Sequence, residues 1–192
     1  MTPARTGWRV IAAAAIAAAA ALCIVSAVPA SSPARAAPAA AVNAAARIPR
    51  CTASDLGAWV AADRGNGALG SIYYPLEFTN LSGHACYMYG FPGVSAIDRN
   101  GHQLGSPARW DHSVTARAVV LAPGATAHTV LRYVDAEVYT SGCRPGNAAE
   151  LKIYPPDQYG ATHALWDFGA CTLAGRIFMY VQPLQPGTGT TR

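Results

Sequence analysis

Short stretches in which apolar and polar residues alternate dominate the chain from Cys51 onward. The clearest covers residues 72–78, where Ile72, Tyr74, Leu76 and Phe78 occupy every second position before the turn sequence Asn80-Leu81-Ser82-Gly83. An alternation with a period of two is typical of a β-strand that buries one face. This stretch therefore predicts a strand that ends near Asn80.

Further strands follow from the same pattern, and turn residues separate them. Asn100-Gly101 predicts a hairpin turn, and Pro123-Gly124 suits a type II turn. No window shows a sustained helical period, although residues 52–55 could cap a single helical turn. Short strands separated by many Gly and Pro residues are typical of an all-β fold, and we predict an Ig-like two-sheet β-sandwich. The other predicted strands cover residues 86–91, 94–98, 118–121, 127–134, 151–154 and 176–182.

The first 36 residues have the three parts of a secretory signal peptide. Arg5 and Arg9 form a basic start, an Ala-rich apolar run covers residues 10–28, and Ala34-Arg35-Ala36 offers a small-residue cleavage site. Cleavage after Ala36 is favoured over cleavage after Ala30. The alternative is an uncleaved membrane anchor, which the low transfer energy of alanine disfavours. We expect no stable membrane insertion after cleavage.

The remaining chain divides into three parts. Residues 37–50 are rich in Ala and Pro, which predicts a flexible linker. Residues 51–186 are an ordinary length for one domain and form the predicted β-sandwich. The segment 187–192 is poor in apolar residues, so we predict a disordered tail.

The charge distribution argues against two classes of partner. Removing Arg5, Arg9 and Arg35 with the signal peptide lowers the net charge from +4 to +1. Residues 51–186 carry eight basic and ten acidic side chains. A nucleic-acid-binding domain needs a basic surface, and an anionic-membrane binder needs a cluster of Lys and Arg. We therefore expect neither partner.

Four cysteines remain after cleavage, namely Cys51, Cys86, Cys143 and Cys171. An even number in an exported chain of this size predicts two disulfides. Three pairings are open, and we favour Cys51–Cys86 with Cys143–Cys171 because they close the shortest loops. A four-thiolate zinc site would need C-x-x-C pairs, which this sequence lacks.

Three segments and the two late cysteines together resemble one family. They are GSIYYPLEFTN at 70–80, CYMYGFPGV at 86–94 and LAPGATA at 121–127. The pattern, including the signal peptide, is similar to the actinobacterial exported "domain of unknown function 4232" family, over nearly all of residues 51–186. The resemblance implies that the protein is secreted or resides in the cell envelope. It implies no activity, because none can be carried over residue by residue.

Candidate catalytic groups lack the motifs that would join them. The five histidines show neither H-x-H nor i, i+4 spacing, and no G-x-S-x-G sequence is present. Asp135 and Glu137 would share one face of a strand end, and solvation explains them. We expect no catalytic residue, no metal and no cofactor. A secreted hydrolase with an unrecognised site stays the alternative.

Tyr87, Tyr89 and Phe91 are the candidate binding residues. If Cys86 and Met88 face the core, strand periodicity places the three aromatic residues together on the opposite face. An exposed aromatic row would suit an extracellular protein or polysaccharide. The alternative is a central strand whose outer face is covered by loops. The leading hypothesis is a secreted or envelope-associated, non-enzymatic binding module of unknown ligand.

Overall fold

A computed structural model describes residues 48–68, 70–139 and 141–190. The predicted signal peptide (1–36), its cleavage site and nearly all of the linker (37–50) lie outside the described residues. Among the described residues, no helix is long and apolar enough to cross a membrane.

The described part of the chain is all-β, as the sequence predicts, with three short 3₁₀ turns beside the strands. One of these turns, Ala53–Asp55, is the capped turn expected after Thr52, since the Asp55 carboxylate accepts a hydrogen bond from the Thr52 amide at 2.8 Å. The strands are β1 (Leu56–Val60), β2 (Asn66–Ala68), β3 (Ser71–Asn80), β4 (Cys86–Tyr89), β5 (Gly93–Ile97), β6 (Gln103–Leu104), β7 (Arg109–Trp110), β8 (Ala118–Leu121), β9 (Thr126–Val134), β10 (Pro145–Tyr154), β11 (Thr162–Cys171), β12 (Met179–Val181) and β13 (Gln185–Pro186).

Two larger sheets pack against each other, which confirms the predicted sandwich. One has the order β1-β3-β9-β12-β7, with β2 added to β3 and β13 added to β9; the other has the order β11-β10-β5-β6. Buried residues from both sheets, among them Phe78, Leu131, Leu151 and Ile153, form one core. The strands β4 and β8 form a third, two-stranded sheet that the sequence does not predict.

Strand bounds follow the sequence pattern where a strand has one buried face. β3 and β9 agree with the predicted strands within two residues, and β9 alternates along its whole length. The sequence analysis does not predict β11, in which Leu165 is exposed and the buried positions Ala164 and Ala170 carry only small side chains. β12 is shorter than the predicted 176–182 strand.

Both disulfides form in the sequential pairing that the sequence favours. Cys51–Cys86 joins the segment before β1 to the first residue of β4. Cys143–Cys171 joins the loop before β10 to the last residue of β11. All four cysteines belong to the core or pack against it.

Asp135 and Glu137 do not end a strand side by side, as the sequence suggests. β9 ends at Val134, and Asp135 caps the 3₁₀ turn Ala136–Val138 by accepting a hydrogen bond from the Glu137 amide at 3.0 Å. The Asp135 carboxylate therefore caps a turn and is not one half of a carboxylate pair.

The segment after Pro186, for which composition predicts a disordered tail, makes hydrogen bonds to the rest of the fold as far as Gly189. The Gly187 amide donates to the Thr126 carbonyl at 2.9 Å, and the Gly189 amide donates to the Glu77 carboxylate at 3.2 Å. Composition suggests disorder because the segment has almost no apolar surface to bury. The structure holds it by backbone hydrogen bonds, which composition does not report.

Candidate functional site

The outer face of β4 carries the first two candidate residues. Cys86 and Met88 are buried, whereas Tyr87 is half-buried and Tyr89 is 51% exposed. This is the facing that strand periodicity predicts from a core-facing Cys86. Opposite Tyr87 on β8, Val120 is 54% exposed and widens the apolar surface.

Phe91 reaches the same region by a different route from the one predicted. β4 ends at Tyr89, and Gly90 has a φ of +100°, a conformation that residues with a side chain rarely adopt. The turn at Gly90 takes Phe91 off the outer face of β4. Phe91 instead stacks on Trp110, with ring centroids 5.2 Å apart and planes 16° from parallel.

Trp110 comes from β7, an edge strand of the large sheet. β7 pairs in parallel with β12, where Trp110 lies opposite the buried Val181. Trp110 is 53% exposed because no further strand covers the edge strand β7, and its ring packs on Phe91. His112 also packs against this pair, 4.7 Å from the Phe91 ring centroid.

These rings line a groove of about 430 Å³, which we call the aromatic groove. Its apolar walls come from β4, β7 and the loop before β8, and its polar groups are His112 and Asp157. Tyr87 is not part of the lining. The lining residues are Tyr89, Gly90, Phe91, Trp110, His112, Ala116, Pro156 and Asp157.

An ion pair forms one rim of the aromatic groove. Arg50 binds the Asp157 carboxylate, and its guanidinium lies 5.3 Å from the centroid of the Tyr87 ring. Asp157 has a φ of 56°, an uncommon left-handed conformation for a residue other than glycine. Tyr87 therefore contacts the groove only indirectly, because the Arg50 guanidinium that pairs with Asp157 packs on the Tyr87 ring.

The loop that carries His112 is fixed by Asp111. Partial burial raises the pKa of Asp111, but hydrogen bonds from Ser113 and Gln182 outweigh this effect, so the pKa lies below its ordinary value. The Ser113 amide donates to Asp111 at 3.0 Å, and the Gln182 side chain at 3.4 Å. Ionised Asp111 thus ties the loop to the residue after β12.

A second, wider cleft of about 740 Å³ is polar, and its carboxylates have partners. Asp98 accepts hydrogen bonds from the amides of Asn100 and His102, both at 2.8 Å. The His102 amide is the main reason that the pKa of Asp98 lies below its ordinary value. Asp167 pairs with Arg99 at 3.4 Å. The lining residues are Asp98, Arg99, Asn100, Asn147, Asp167, Phe168 and Gly169.

The histidines lie apart from one another. Ser95 on β5 and His163 on β11 face the same side of the second sheet. Lys152 on the intervening strand β10 separates them, so they are not neighbours as a serine nucleophile and its base would be. No three or more His, Cys, Asp or Glu among the described residues are grouped to hold a metal ion. Four histidines have local partners: His102 with Asp98 at 3.3 Å, His112 with Phe91, His128 with the Gly187 carbonyl at 2.9 Å, and His163 with Glu150 at 3.0 Å.

The sequence singles out three residues of the groove region and misses their neighbours Arg50, Trp110, His112 and Asp157. Trp110, two residues before His112, is the one local signal for the part of the groove that β7 contributes, and nothing in the sequence links it to Phe91.

Comparisons with known proteins add a family but no activity. No curated protein and no solved structure matches the chain. One family model matches residues 51–177, from the first disulfide cysteine to the loop before β12. The matched part contains both disulfides and every lining residue of the aromatic groove. This chain therefore belongs to the family described as Domain of unknown function (DUF4232).

Proposed function

We propose that this protein is an exported, non-enzymatic module that binds a polysaccharide through the aromatic groove. One observation carries the proposal: the stacked Phe91–Trp110 pair leaves half of the Trp110 side chain exposed beside an equally exposed Tyr89. An exposed apolar patch is typical of an interaction site, and ligand pockets are concave and lined mostly by apolar and aromatic side chains.

The chemistry of the groove suits a sugar chain. The C–H face of a pyranose ring is apolar and packs on a flat aromatic ring, while its hydroxyl groups need hydrogen-bonding partners at the edge. Asp157 and His112 are placed at such an edge. Small-molecule sites have this composition, with mostly apolar walls and a few polar groups that fix orientation.

The size of the groove favours a chain ligand over a folded protein. A stable protein–protein interface buries roughly 800 Å² per partner. The groove has eight lining residues, fewer than the roughly 20–30 residues that each partner contributes to such an interface. One or two units of a linear polymer would fill it.

Export supports an extracellular ligand. Two disulfides are typical of proteins that fold in an oxidising compartment. The N-terminal sequence has the features of a signal peptide. We therefore place the ligand outside the cell or in the envelope.

The test measures retention on a panel of insoluble polysaccharides and purified cell wall. We expect Trp110→Ala and Tyr89→Ala each to lower retention at least about tenfold, because aromatic anchors dominate contact energies. Tyr159→Ala is the matched control, since Tyr159 is a fully exposed aromatic residue (99%) that does not line the groove. It should bind like the parent.

Three outcomes contradict the proposal. The first is that the parent binds none of the polysaccharides in the panel. The second is that Tyr159→Ala loses retention as strongly as Trp110→Ala. Release of soluble sugar during the incubation would favour the secreted hydrolase instead. Unfolding of Tyr89→Ala checks the fold, because exposed positions usually change stability by no more than about 0.5 kcal/mol.

A further inference from the structure

We propose a second binding site on the outer face of the large sheet, for an extended peptide segment that contains glycine. Glu77, Arg64 and His128 form the site, and the chain's own residues 187–190 occupy it in this structure. The site lies outside the aromatic groove and does not depend on the proposed function.

A buried ion pair forms the floor of the site. Glu77 on β3 and His128 on β9 are cross-strand partners, and both belong to the large sheet. Arg64, from the 3₁₀ turn before β2, forms an ion pair with Glu77, with its Nη1 2.7 Å from Glu77 Oε1. The Glu77 side chain is only 1% exposed, because the segment 187–190 lies over it.

The site recognises the backbone of one residue from both sides. The Gly189 amide donates to Glu77 Oε1 at 3.2 Å, and the Gly189 carbonyl accepts from Arg64 Nη1 at 2.8 Å. Two residues earlier, the Gly187 carbonyl accepts from His128 Nδ1 at 2.9 Å. Hydrogen bonds to charged groups are stronger than those between neutral groups.

Only glycine fits at the centre of the site. A Cβ atom on residue 189 would lie 2.6 Å from His128 Cδ2 and 2.7 Å from Pro75 Cβ, closer than such atoms approach each other. Gly187 has a φ of +78°, which also favours glycine. Thr188 and Thr190 are exposed. The site therefore selects the pattern Gly-x-Gly, with little restriction on the residues between and after.

Nothing in these contacts requires the segment to belong to the same chain. They are backbone hydrogen bonds to side chains and to the Thr126 carbonyl, and a free peptide can make all of them. Among the described residues, none forms a hydrogen bond with the buried Glu77 Oε2, so a peptide with one more donor would bind better than the segment present here.

The experiment uses the full chain with Gly189→Val, which should expel the segment from the site. The matched control is Thr188→Val, a change to the same residue type on an exposed neighbour. The probe is a fluorescein-labelled peptide with the sequence PGTGTTR, residues 186–192 of this chain. Fluorescence anisotropy measures its binding, and amide hydrogen exchange at residue 189 reports whether the segment is released.

We expect the peptide to bind Gly189→Val at micromolar concentration and to bind neither the parent nor Thr188→Val. In the latter two proteins the tethered segment competes at an effective concentration near millimolar. Residue 189 should exchange slowly in the parent and at least about a hundredfold faster in Gly189→Val, since release exposes its amide to water. A peptide in which alanine replaces the second glycine should bind at least about tenfold more weakly, because the added Cβ meets the same atoms of the site.

Several results would overturn the proposal. Slow exchange at position 189 of the Gly189→Val variant would show that the site accepts a side chain there. A released segment without peptide binding would show that the contacts need the covalent connection, and equal binding of the alanine peptide would remove the glycine preference. If Gly189→Val does not fold, Gly189→Ala replaces it, because its Cβ meets the same two atoms.

Discussion

Replacing Asn80 with alanine should cost this fold about 3 kcal/mol, more than any other polar side chain near the end of β3. Asn80 is fully buried. Its Nδ2 donates to the carbonyls of His84 at 2.8 Å and Leu121 at 3.0 Å. Its Oδ1 accepts from the Ser82 amide at 2.9 Å and the Ser82 hydroxyl at 2.7 Å. One side chain thus closes the turn after β3 and ties it to β8.

The magnitude follows from which partners can reach water after the change. The bond to the Leu121 carbonyl is buried, and losing it costs about 1–3 kcal/mol. The three bonds to His84 and Ser82 lie closer to solvent, so losing each of them costs only about 0.5 kcal/mol. Asn80→Asp should be at least as destabilising, because it keeps the accepted bonds but turns an oxygen towards two carbonyls.

Urea unfolding followed by tryptophan fluorescence measures the effect. With a slope of about 1–3 kcal/mol per molar urea, a loss of about 3 kcal/mol lowers the midpoint by about 1–3 M. Ser82→Ala is the control; it removes one hydroxyl and should cost no more than about 1 kcal/mol. If Asn80→Ala unfolds within about 0.5 kcal/mol of the parent, the side chain is not the tie between β3 and β8.

Three further predictions concern other parts of the molecule. Replacing both Cys143 and Cys171 with alanine should lower the free energy of unfolding by about 3–4 kcal/mol on the loop-entropy relation, measured in urea without reductant; a change below about 1 kcal/mol would refute it. Burial, with a smaller contribution from neighbouring Tyr74, raises the pKa of Tyr133 from 10.0 to about 12, so its contribution to stability is fully present below pH 10 and is lost as the pH rises to 12. Absorbance titration of folded and unfolded protein at about 295 nm, where tyrosinate absorbs, tests this, and a single midpoint shared by both states would contradict it. N-terminal sequencing of protein from the medium should start at Ala37, and an intact N-terminus would indicate an anchor.

Local sequence signals predict the elements that depend on local physics. Alternation in residues 72–78 indicates the buried face of β3, because successive side chains of any strand point to opposite sides. Asn80 is expected to start a turn towards Ser82, and its side chain does so within two residues. The short loops between cysteines favour the pairing that forms.

The sequence is least informative where partners are distant. β7 is only two residues long, and its parallel pairing with β12 depends on residues that lie far along the chain. No local pattern could place Trp110 against Phe91. β11 escapes prediction for another reason, since small buried residues such as Ala164 and Ala170 and an exposed Leu165 weaken its apolar pattern.

By itself, the sequence determined the class of fold, the two disulfides, the family and the outward facing of Tyr87 and Tyr89. The tertiary structure decided that Phe91 turns at Gly90 to join Trp110 in a groove, and that segment 187–190 lies over Glu77. The physical reason is the range of the forces involved. Strand periodicity and turn chemistry act between neighbouring residues, whereas a groove and a docked segment exist only once distant strands have come together.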